Sequence, residues 1–345
     1  MNAAAHSQKD GYIRNGWYAV ALGRDIGRKP AQEWLLDEPI VLFRKASNEI
    51  VVLRDRCPHR HAPLSLGKVI DDEIQCRYHG FQFDSSGRCS KIPGERTIPS
   101  AVRVEAFPAV ESLGLVWVWA GDPARRDDAL LPKWPWLGKP GFLSSHIRRQ
   151  FEAPFDLIVD NLMDLTHVHF VHSIIGVDTL VHESEPMEVR EEGEHVLYQR
   201  NLRQGPFAAK GLYVELRGKF MPPSLIYTGS VPKREGSDEI QPVPMSQVLH
   251  CLTPRTADST TYIALKSWNI LLQPHEVAGV EHQMAVTLEE DKAIIEAQYR
   301  SRRASTVKLE ERLIRADRAA VMARRMYEKL LRNETGAGSA PIASG

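Results

Sequence analysis

The first third of the chain consists of short apolar and β-branched runs that are separated by turn-forming residues. Between residues 16 and 52 these runs read WYAVAL, PIVLFR and EIVVL. The pattern continues as EIQCRYHGFQFD, GRCSKI, VRVEAFPAV and LGLVWVWAG, and residues 84–87, DSSG, have the composition of a hairpin turn. Strands this short are typical of a sandwich or a barrel. The residues up to about 121 therefore predict one all-β unit.

A different periodicity follows a stretch rich in Pro and Trp between residues 123 and 140. From Phe155 to Phe170 the apolar residues fall at helical spacing, and Asp156 is expected to cap the start of this helix. Alternating segments between residues 182 and 269 predict a run of antiparallel strands. Residues 281–332 are rich in Ala, Glu, Arg, Leu and Met without Pro or Gly, which predicts long helices.

These patterns predict an α+β protein with two domains. We expect the all-β domain to span residues 11–130, and a second domain of sheet and helices to span residues 131–332. The tail, residues 333–345, reads NETGAGSAPIASG and has the composition of a disordered segment.

The composition narrows the possible functions. The chain has 345 residues, with 44 Lys and Arg against 44 Asp and Glu, and this balance argues against electrostatic binding of nucleic acid. The longest apolar stretch, residues 113–120, is far shorter than the ~20 residues that a membrane-spanning helix needs. The N-terminal MNAAAHSQKD lacks the pattern of a secretion signal. We therefore expect a cytoplasmic protein that does not cross a membrane.

Two cysteines and two histidines form the first candidate metal site. Cys57 and His59 are separated by one residue, and after sixteen further residues Cys76 and His79 follow as Cys-x-x-His. Both halves lie where strands are expected to turn. Two thiolates on one iron and two imidazoles on the other are the ligands of a Rieske 2Fe-2S centre. A structural zinc site is the alternative, but zinc fingers usually pair Cys with Cys and His with His along the sequence.

The other cysteines and a neighbouring histidine do not fit that centre. His61 would be a fifth protein ligand where the centre takes four, so it is interpreted as a loop residue. Cys89 follows the hairpin turn and Cys251 lies in a strand-like run, and both are interpreted as small buried residues.

The segment DNLMDLTHVHFVH, residues 160–172, contains the second candidate site. Asp164 and His167 are three residues apart and share a helix face, whereas His167 and His172 are five apart and about 140° out of phase. The helix must end or bulge between the two histidines if both are to bind one ion. Two histidines and one carboxylate on one face of non-haem Fe(II) leave positions open for oxygen and substrate. The intervening His169 is expected to point elsewhere.

Spacing alone does not identify the carboxylate. Glu289, Glu290 and Asp291 lie in TLEEDKAIIEAQ near the start of the predicted C-terminal helices, and each of the three could complete the site. Asn161 is interpreted either as a polar group near the iron or as a polar core residue with satisfied hydrogen bonds.

Together the motifs CPHRHAPLS, CRYHGFQFD and DNLMDLTHVHFVH resemble those of the oxygenase components of Rieske non-haem iron oxygenases. The resemblance spans nearly the whole chain. Through RNGWYAVAL, DNLMDLTH and EEDK it is closest to the subgroup that acts on aromatic acids, such as vanillate O-demethylase and dicamba monooxygenase. It implies an N-terminal Rieske domain, a C-terminal catalytic domain of the helix-grip type, and a homotrimer in which the cluster of one subunit serves the iron of its neighbour.

The resemblance also implies roles for individual residues around the metals. The EEDK match makes Asp291 the carboxylate ligand, with Glu290 as the alternative. Asp164 matches the bridging aspartate of the family. It is expected to bond the iron ligand His167 on its own side and a cluster histidine, His79, across the subunit interface.

Two more residues are implied on the substrate side. His250 in LHCLTP matches a position that contacts a substrate carboxylate, and a histidine satisfied within the sheet is an equal alternative. Tyr227, on the preceding strand-like segment, is expected at a second position that lines the pocket.

The expected activity is that of a terminal oxygenase. An NAD(P)H-dependent reductase that carries flavin and an iron-sulfur centre would supply electrons, and the mononuclear Fe(II) would use O2 to oxidise an aromatic acid. We expect O-demethylation, or hydroxylation of a methyl group or the ring; a dioxygenase that cis-dihydroxylates the ring uses the same ligands and is the alternative. A Rieske electron-transfer protein without oxygenase activity is a second alternative, but it would leave His167, His172 and Asp291 without a use.

Overall fold

The fold is described from a computed structural model of the chain. The structure describes residues 11–172, 187–202, 211–236, 246–269 and 274–336. The chain divides into two compact units, one of residues 1–132 with Thr253–Ala257, and the other of Lys133–Leu252 with residues 258–345. No helix in the described ranges is long and apolar enough to cross a membrane. The part of the expected disordered tail beyond residue 336 lies outside the described residues.

The first unit, as far as the structure describes it, consists of short strands in three antiparallel sheets. The sheets have the strand orders β1–β10–β9, β2–β3–β4 and β5–β6–β7–β8, where the strands are β1 (Trp17–Leu22), β2 (Ala31–Leu35), β3 (Glu38–Arg44), β4 (Ile50–Arg54), β5 (Lys68–Ile70), β6 (Glu73–Gln75), β7 (Gln82–Phe83), β8 (Cys89–Lys91), β9 (Ala109–Ser112) and β10 (Leu115–Trp119). Strands β1 and β10, WYAVAL and LVWVW, are buried along their whole length. The all-β interpretation of this region is confirmed.

The core of the first unit includes two of the predicted metal ligands. Phe43 of β3, Leu53 of β4 and Phe83 of β7 pack in one buried cluster together with Cys57 and Cys76. The loops that follow β4 and β6 are therefore pinned to the core by the residues that would bind the metal.

The second unit is built on one antiparallel sheet and several helices. The sheet has the order β11–β17–β16–β15–β14–β13–β12, and the elements in chain order are β11 (Leu143–Phe151), α1 (Phe155–Met163), α2 (Val168–Val171), β12 (Glu188–Glu192), β13 (His195–Leu202), β14 (Leu212–Met221), β15 (Leu225–Arg234), β16 (Ser246–Thr256), β17 (Ser259–Trp268), α3 (Pro274–Ala304) and α4 (Arg318–Thr335). Helix α4 ends at Thr335, and the next residue, Gly336, has a φ of 72°, the left-handed conformation that glycine adopts without strain. The predicted combination of helix, sheet and long helices is confirmed.

The helix that the apolar spacing predicts from Phe155 to Phe170 is interrupted, so this prediction is wrong. Helix α1 ends at Met163, and Asp164 is extended with φ −130° and ψ 102°. A 3-10 turn, Leu165–His167, and the short α2 follow. The prediction that Asp156 caps this helix is wrong as well, because Pro154 occupies the N-cap position. Asp156 lies in the first turn, where its negative charge interacts favourably with the helix dipole.

One side of the sheet carries helix α3, and we call it the helix-facing side. On β11, Ser145 Oγ donates to Glu281 Oε1 at 2.6 Å, and Arg149 Nε donates to Glu289 Oε1 at 2.5 Å. Directly opposed residues of neighbouring strands project from the same side of a sheet. The partners of Ser145 and Arg149 on β17 therefore share this side; they are Lys266 and Tyr262.

The other side of the sheet, which we call the outer side, contacts Trp134 and Trp136. Trp134 Nε1 donates to Ser267 Oγ at 2.8 Å, and Ser267 is the neighbour of a helix-facing residue, so it projects the other way. The Trp136 ring stacks on Tyr227 with 6.1 Å between the centroids and 9° between the planes. Tyr227 therefore belongs to the outer side.

Candidate metal centres

Two loops of the first unit carry the first donor group. The loop after β4 presents Cys57 and His59, and the loop after β6 presents Cys76 and His79. Both loops fold back on themselves, since the Cys57 amide donates to Ala62 O at 2.9 Å and the Cys76 amide donates to Phe81 O at 2.8 Å. The two Cys-His loops therefore have the same kind of closed turn, with each thiol at its base.

The four donors are segregated into a buried pair and an exposed pair. Cys57 and Cys76 are each 2% exposed, whereas the rings of His59 and His79 are exposed and lie 4.5 Å apart between centroids. Burial raises the pKa of the Cys57 thiol to about 11, and the neighbouring Cys76 contributes to the rise. Such a thiol becomes a thiolate at neutral pH only when a cation binds it. The donor set thus fits a two-iron centre with one iron on the thiols and one on the imidazoles.

A buried carboxylate anchors the first of these loops. Asp55, which is 3% exposed, accepts hydrogen bonds from Gln32 Nε2 at 2.6 Å, from the Ser65 amide at 2.7 Å and from Ser65 Oγ at 2.6 Å. Ser65 lies beyond the Cys57 turn, so Asp55 ties both ends of the loop together. Sequence analysis missed this residue, because an aspartate before a cysteine has no distinctive spacing.

The second donor group lies in the second unit and converges on one carboxylate oxygen. His167 Nε2 lies 3.3 Å and His172 Nε2 lies 3.4 Å from the same atom, Asp291 Oδ1. One ligand atom from each of the three residues lies within 4.8 Å of the others. Two imidazole nitrogens and one carboxylate oxygen on one side of a point are the donor set of a non-haem Fe(II) site with open positions.

The backbone distortion at Asp164 makes this convergence possible. The side chain of Asp164 accepts a hydrogen bond from the Thr166 amide at 2.9 Å and so starts the 3-10 turn that carries His167. Helix α2 then ends at Val171, and His172 is extended with φ −96° and ψ 109°. The expected end of the helix between the two histidines is confirmed, and a further break before His167 accompanies it.

The second ring nitrogen of each histidine, Nδ1, which points away from Asp291 and which we call the outer nitrogen, also has a hydrogen-bond partner. His167 Nδ1 lies 2.8 Å from the backbone oxygen of Asp164, and His172 Nδ1 lies 3.1 Å from Glu290 Oε2. Asn161 Nδ2 is 3.4 Å from Asp291 Oδ1. Such partners fix the tautomer and orientation of metal-binding histidines. The expected bond from the Asp164 carboxylate to His167 is not formed, because the backbone carbonyl occupies that position.

The geometry distinguishes the three acidic residues among which spacing alone could not identify the carboxylate ligand. Asp291 reaches both histidines, and Glu290 reaches only the outer nitrogen of His172. Glu289 instead pairs with Arg149 at 2.5 Å. Burial opposes protonation of His167, but the hydrogen bond and charge of Asp291 outweigh it and raise the pKa of this imidazole. The Asp291 carboxylate therefore favours a positive charge at His167.

A cavity of about 360 Å³ borders the second donor group. Asn161, Asp164 and His167 line it, and an arginine of α4, Arg324, lies on its other wall. Arg324 binds Asp160 and, at 2.7 Å, Glu311. Sequence analysis did not identify Arg324, because its partners are distant in the chain.

His250 and Tyr227 lie on opposite sides of the sheet. His250 Nε2 is 2.8 Å from Thr228 Oγ1 and Nδ1 is 2.5 Å from the hydroxyl of Tyr262, which faces α3. Tyr227 is the neighbour of Thr228 and projects to the outer side, where it bonds Gln247 and contacts Trp134 and Trp136. The two residues therefore do not line one cavity. His250 has both ring nitrogens occupied, as the alternative of a satisfied sheet histidine requires.

Comparison with known proteins identifies the class of the chain. Residues 16–108 match the Rieske [2Fe-2S] domain, and residues 151–333 match the vanillate O-demethylase oxygenase C-terminal domain. The second match spans more than half of the chain, so the protein belongs to the vanillate O-demethylase family of Rieske oxygenase components. It is therefore an oxidoreductase of the Rieske non-haem iron oxygenase type.

Individual relatives are similar along nearly their whole length. The chain is 31% identical to the dicamba O-demethylase oxygenase component of Stenotrophomonas maltophilia, over 92% of this chain and 98% of the relative. It is 33% identical to a toluene-4-sulfonate monooxygenase system iron-sulfur subunit of Comamonas testosteroni, over 96% and 100%. The crystal structure of dicamba monooxygenase bound to dicamba superposes with a TM-score of 0.85 at 30% identity, covering 94% of this chain and 99% of that one. The predicted family and fold are confirmed.

The burial of His250 predicts a pH dependence of stability. Burial, aided by the Lys266 ammonium, lowers the pKa of His250 to about 3, whereas an unfolded histidine has a pKa of about 6.5. Between these values the unfolded chain binds more protons, so the free energy of unfolding falls as the pH decreases, by up to about 1.4 kcal/mol per unit. Urea unfolding of His250→Gln should lose less stability than the wild type between about pH 6.5 and 4.5. If the free energy of unfolding changed equally with pH in the two proteins over this range, the prediction would be wrong. Above about pH 7.5 the two pH dependences should agree, which serves as the control.

Proposed function

We propose that this protein is the terminal oxygenase of a system that oxidises an aromatic acid with O2, with O-demethylation as the first reaction to test. The observation that carries the proposal is the convergence of His167, His172 and Asp291 in a chain that also has the two Cys-His loops. The named relatives act on dicamba, vanillate and toluene-4-sulfonate, which are all aromatic acids. The substrate of this chain is inferred from them.

The residue roles follow from the donor chemistry. Cys57 and Cys76 would hold one iron of the 2Fe-2S cluster, and His59 and His79 would hold the other. The mononuclear iron would be held by three residues: His167, His172 and Asp291. When bound, the cluster supplies single electrons and the mononuclear iron supplies open positions for O2.

The surrounding side chains would keep the ligands in place. Glu290 accepts from the outer nitrogen of His172, and the Asp164 carbonyl accepts from that of His167, which directs both inner nitrogens to the metal. Asn161 donates to Asp291 and so orients its carboxylate. These contacts would restrict the orientations of the three ligand side chains.

The protein would act as a homotrimer, with Asp164 at the interface. The Asp164 carboxylate lines the cavity beside His167, and exposed apolar residues lie in the segment before α4, among them Leu309, Leu313 and Ile314. The cluster histidines are exposed beside Tyr78, which is 65% exposed. We infer that these two surfaces meet between copies and that Asp164 accepts a hydrogen bond from His79 of the next copy.

The partner of the oxygenase is a reductase, as in other multicomponent Rieske systems. We propose an NAD(P)H-dependent flavin and iron-sulfur protein in the cytoplasm, because a Rieske cluster accepts one electron at a time whereas NAD(P)H donates a hydride. The electron-transfer protein without oxygenase activity is disfavoured, since it would give the second donor group no role.

The proposed reaction is tested with iron-replete protein, a surrogate reductase and NADH. The protein is screened against methoxybenzoates and toluene-4-sulfonate, and formaldehyde and product mass are followed together. Formaldehyde formed in step with loss of a methoxybenzoate supports O-demethylation. A product that gains two oxygen atoms without losing carbon would replace it with ring dihydroxylation, and no oxidation of any aromatic acid would contradict the proposal.

The choice of carboxylate ligand is tested with two neighbouring variants. Asp291→Ala should lose the mononuclear iron and all turnover, because it removes the oxygen on which both histidines converge. Glu289→Ala is the control, since Glu289 lies at the surface and bonds Arg149. Iron analysis and the Rieske absorption spectrum measure the two centres separately. An Asp291→Ala protein that retains stoichiometric mononuclear iron would remove this residue from the ligand set.

The bridging role of Asp164 predicts a defect in electron delivery without loss of metal. Asp164→Asn should retain both iron centres, keep an acceptor for the Thr166 amide and lower turnover by at least about tenfold, because a charged hydrogen bond is lost at the interface. Asp156→Asn, in the first turn of α1, is the matched control. Stopped-flow oxidation of the reduced cluster with substrate and O2 measures the step. A rate equal to the wild type would refute the bridge.

A further inference from the structure

A lysine on the helix-facing side of the sheet has no assigned role in the metal chemistry. Lys266 lies on β17, directly opposite Ser145 of β11. Ser145 Oγ donates to Glu281 of α3, which establishes that this pair of residues projects towards the helix. Lys266 is partly buried in this position.

Three residues of the sheet on this side, Tyr262, His250 and Thr228, are uncharged and are paired with one another. Tyr262 lies four residues before Lys266 and on the same side, and its hydroxyl bonds His250 Nδ1 at 2.5 Å. The other nitrogen of His250 is 2.8 Å from Thr228 Oγ1. Burial and the Lys266 charge keep His250 neutral by lowering its pKa to about 3. The histidine that the sequence suggested for a carboxylate therefore has no charge and no free nitrogen to offer.

The ammonium group of Lys266 differs in its surroundings from Tyr262 and His250, which have partners among the described residues. Within the described ranges no residue forms a hydrogen bond or an ion pair with it, and burial alone lowers the pKa of this amine. The carboxylate of Glu281 is held by Ser145 instead. A partly buried charge without a partner is costly, and an anion that enters from outside would remove that cost.

The position of Lys266 relative to the second donor group suits an aromatic acid. Tyr262 is opposed by Arg149 of β11, which bonds Glu289 of α3, two residues before the proposed ligand Asp291. Lys266 follows four residues further along β17, about 13 Å away at 3.3 Å per residue, and its side chain can extend part of the way back. Lys266 therefore lies beside the level of Glu281, and the donor Asp291 follows ten residues further along α3, about 15 Å away at 1.5 Å per residue. A lysine side chain and a substituted benzene ring can span such a separation together.

We propose that Lys266 binds the carboxylate or sulfonate of the aromatic substrate and so determines both the preference for acids and the end of the ring that faces the metal donors. This inference rests on the proposed function for its substrate class. It assigns the anion contact to a residue of β17 rather than to His250.

Binding of matched acid and neutral probes to metal-loaded protein tests the proposal. The pairs are 4-methoxybenzoate with 4-methoxybenzamide, and toluene-4-sulfonate with toluene-4-sulfonamide, measured by titration calorimetry. The wild type should prefer the acid of at least one pair. Lys266→Met should weaken binding of that acid by about 10- to 100-fold and change binding of the neutral partner by less than about threefold, since one charge-assisted hydrogen bond is lost. Lys266→Arg should restore much of the affinity.

Two controls keep the result interpretable. Lys219→Met alters a lysine that opposes Tyr227 and so lies on the outer side, and it should leave acid binding unchanged. The Rieske absorption and near-UV circular dichroism of each variant monitor folding. Acid binding by Lys266→Met that equals the wild type, or a wild type that binds neither acid or does not prefer an acid, would overturn the proposal. Acid binding that depends on Lys266 without turnover in the reductase assay would instead retain the anion site and contradict the oxygenase function.

Discussion

The functional geometry of the second unit depends on one interruption of a helix. A continuous helix would place His167 and His172 about 140° apart around its axis, so they could not approach one ion together. Because Asp164 leaves the helical conformation and caps a new turn, His167 is redirected, and because α2 ends before it, His172 is redirected as well. Both then meet Asp291 from the distant helix α3. Such local departures from regular structure often occur where function requires them.

In the first unit the proposed metal ligands are arranged by burial and not by an interrupted helix. Its sheets exclude water from Cys57 and Cys76, while His59 and His79 remain at the surface. The buried pair would hold one iron as thiolates, and the exposed pair would leave the other side of the proposed centre accessible to a partner. Asp55 accepts two hydrogen bonds from Ser65, so His59 is carried by a loop whose two ends are joined. An electron-transfer centre needs this combination of a protected and an accessible side.

Local motifs predicted much of this structure, whereas relations between distant strands were beyond the sequence. The four proposed cluster ligands, the two histidines of DNLMDLTHVHFVH and the β, helix and sheet regions follow from short-range spacing and periodicity. The break at Asp164 is missed by periodicity, since a capping bond overrides the apolar pattern. The opposite orientations of Tyr227 and His250 depend on strand register, because a shift of one residue exchanges the two sides of a strand. Lys266 has no motif and is noticed only when its neighbours are known.

The charge distribution on the helix-facing side explains why an acidic substrate would bind in one direction. Asp291, Glu290 and Asp164 make the metal end rich in carboxylates, which repel a second anion until a metal compensates them. Tyr262 remains a neutral phenol because burial raises its pKa well above the usual value, and the neutral His250 beside it adds no charge. Lys266 lies four residues beyond Tyr262 on β17, and among the residues that the structure describes its ammonium has no hydrogen-bond or ion-pair partner. If Lys266 binds the anionic group as proposed, an aromatic acid would place that group at Lys266 and its oxidisable group towards the proposed metal ligands, and electrostatics alone would favour this orientation.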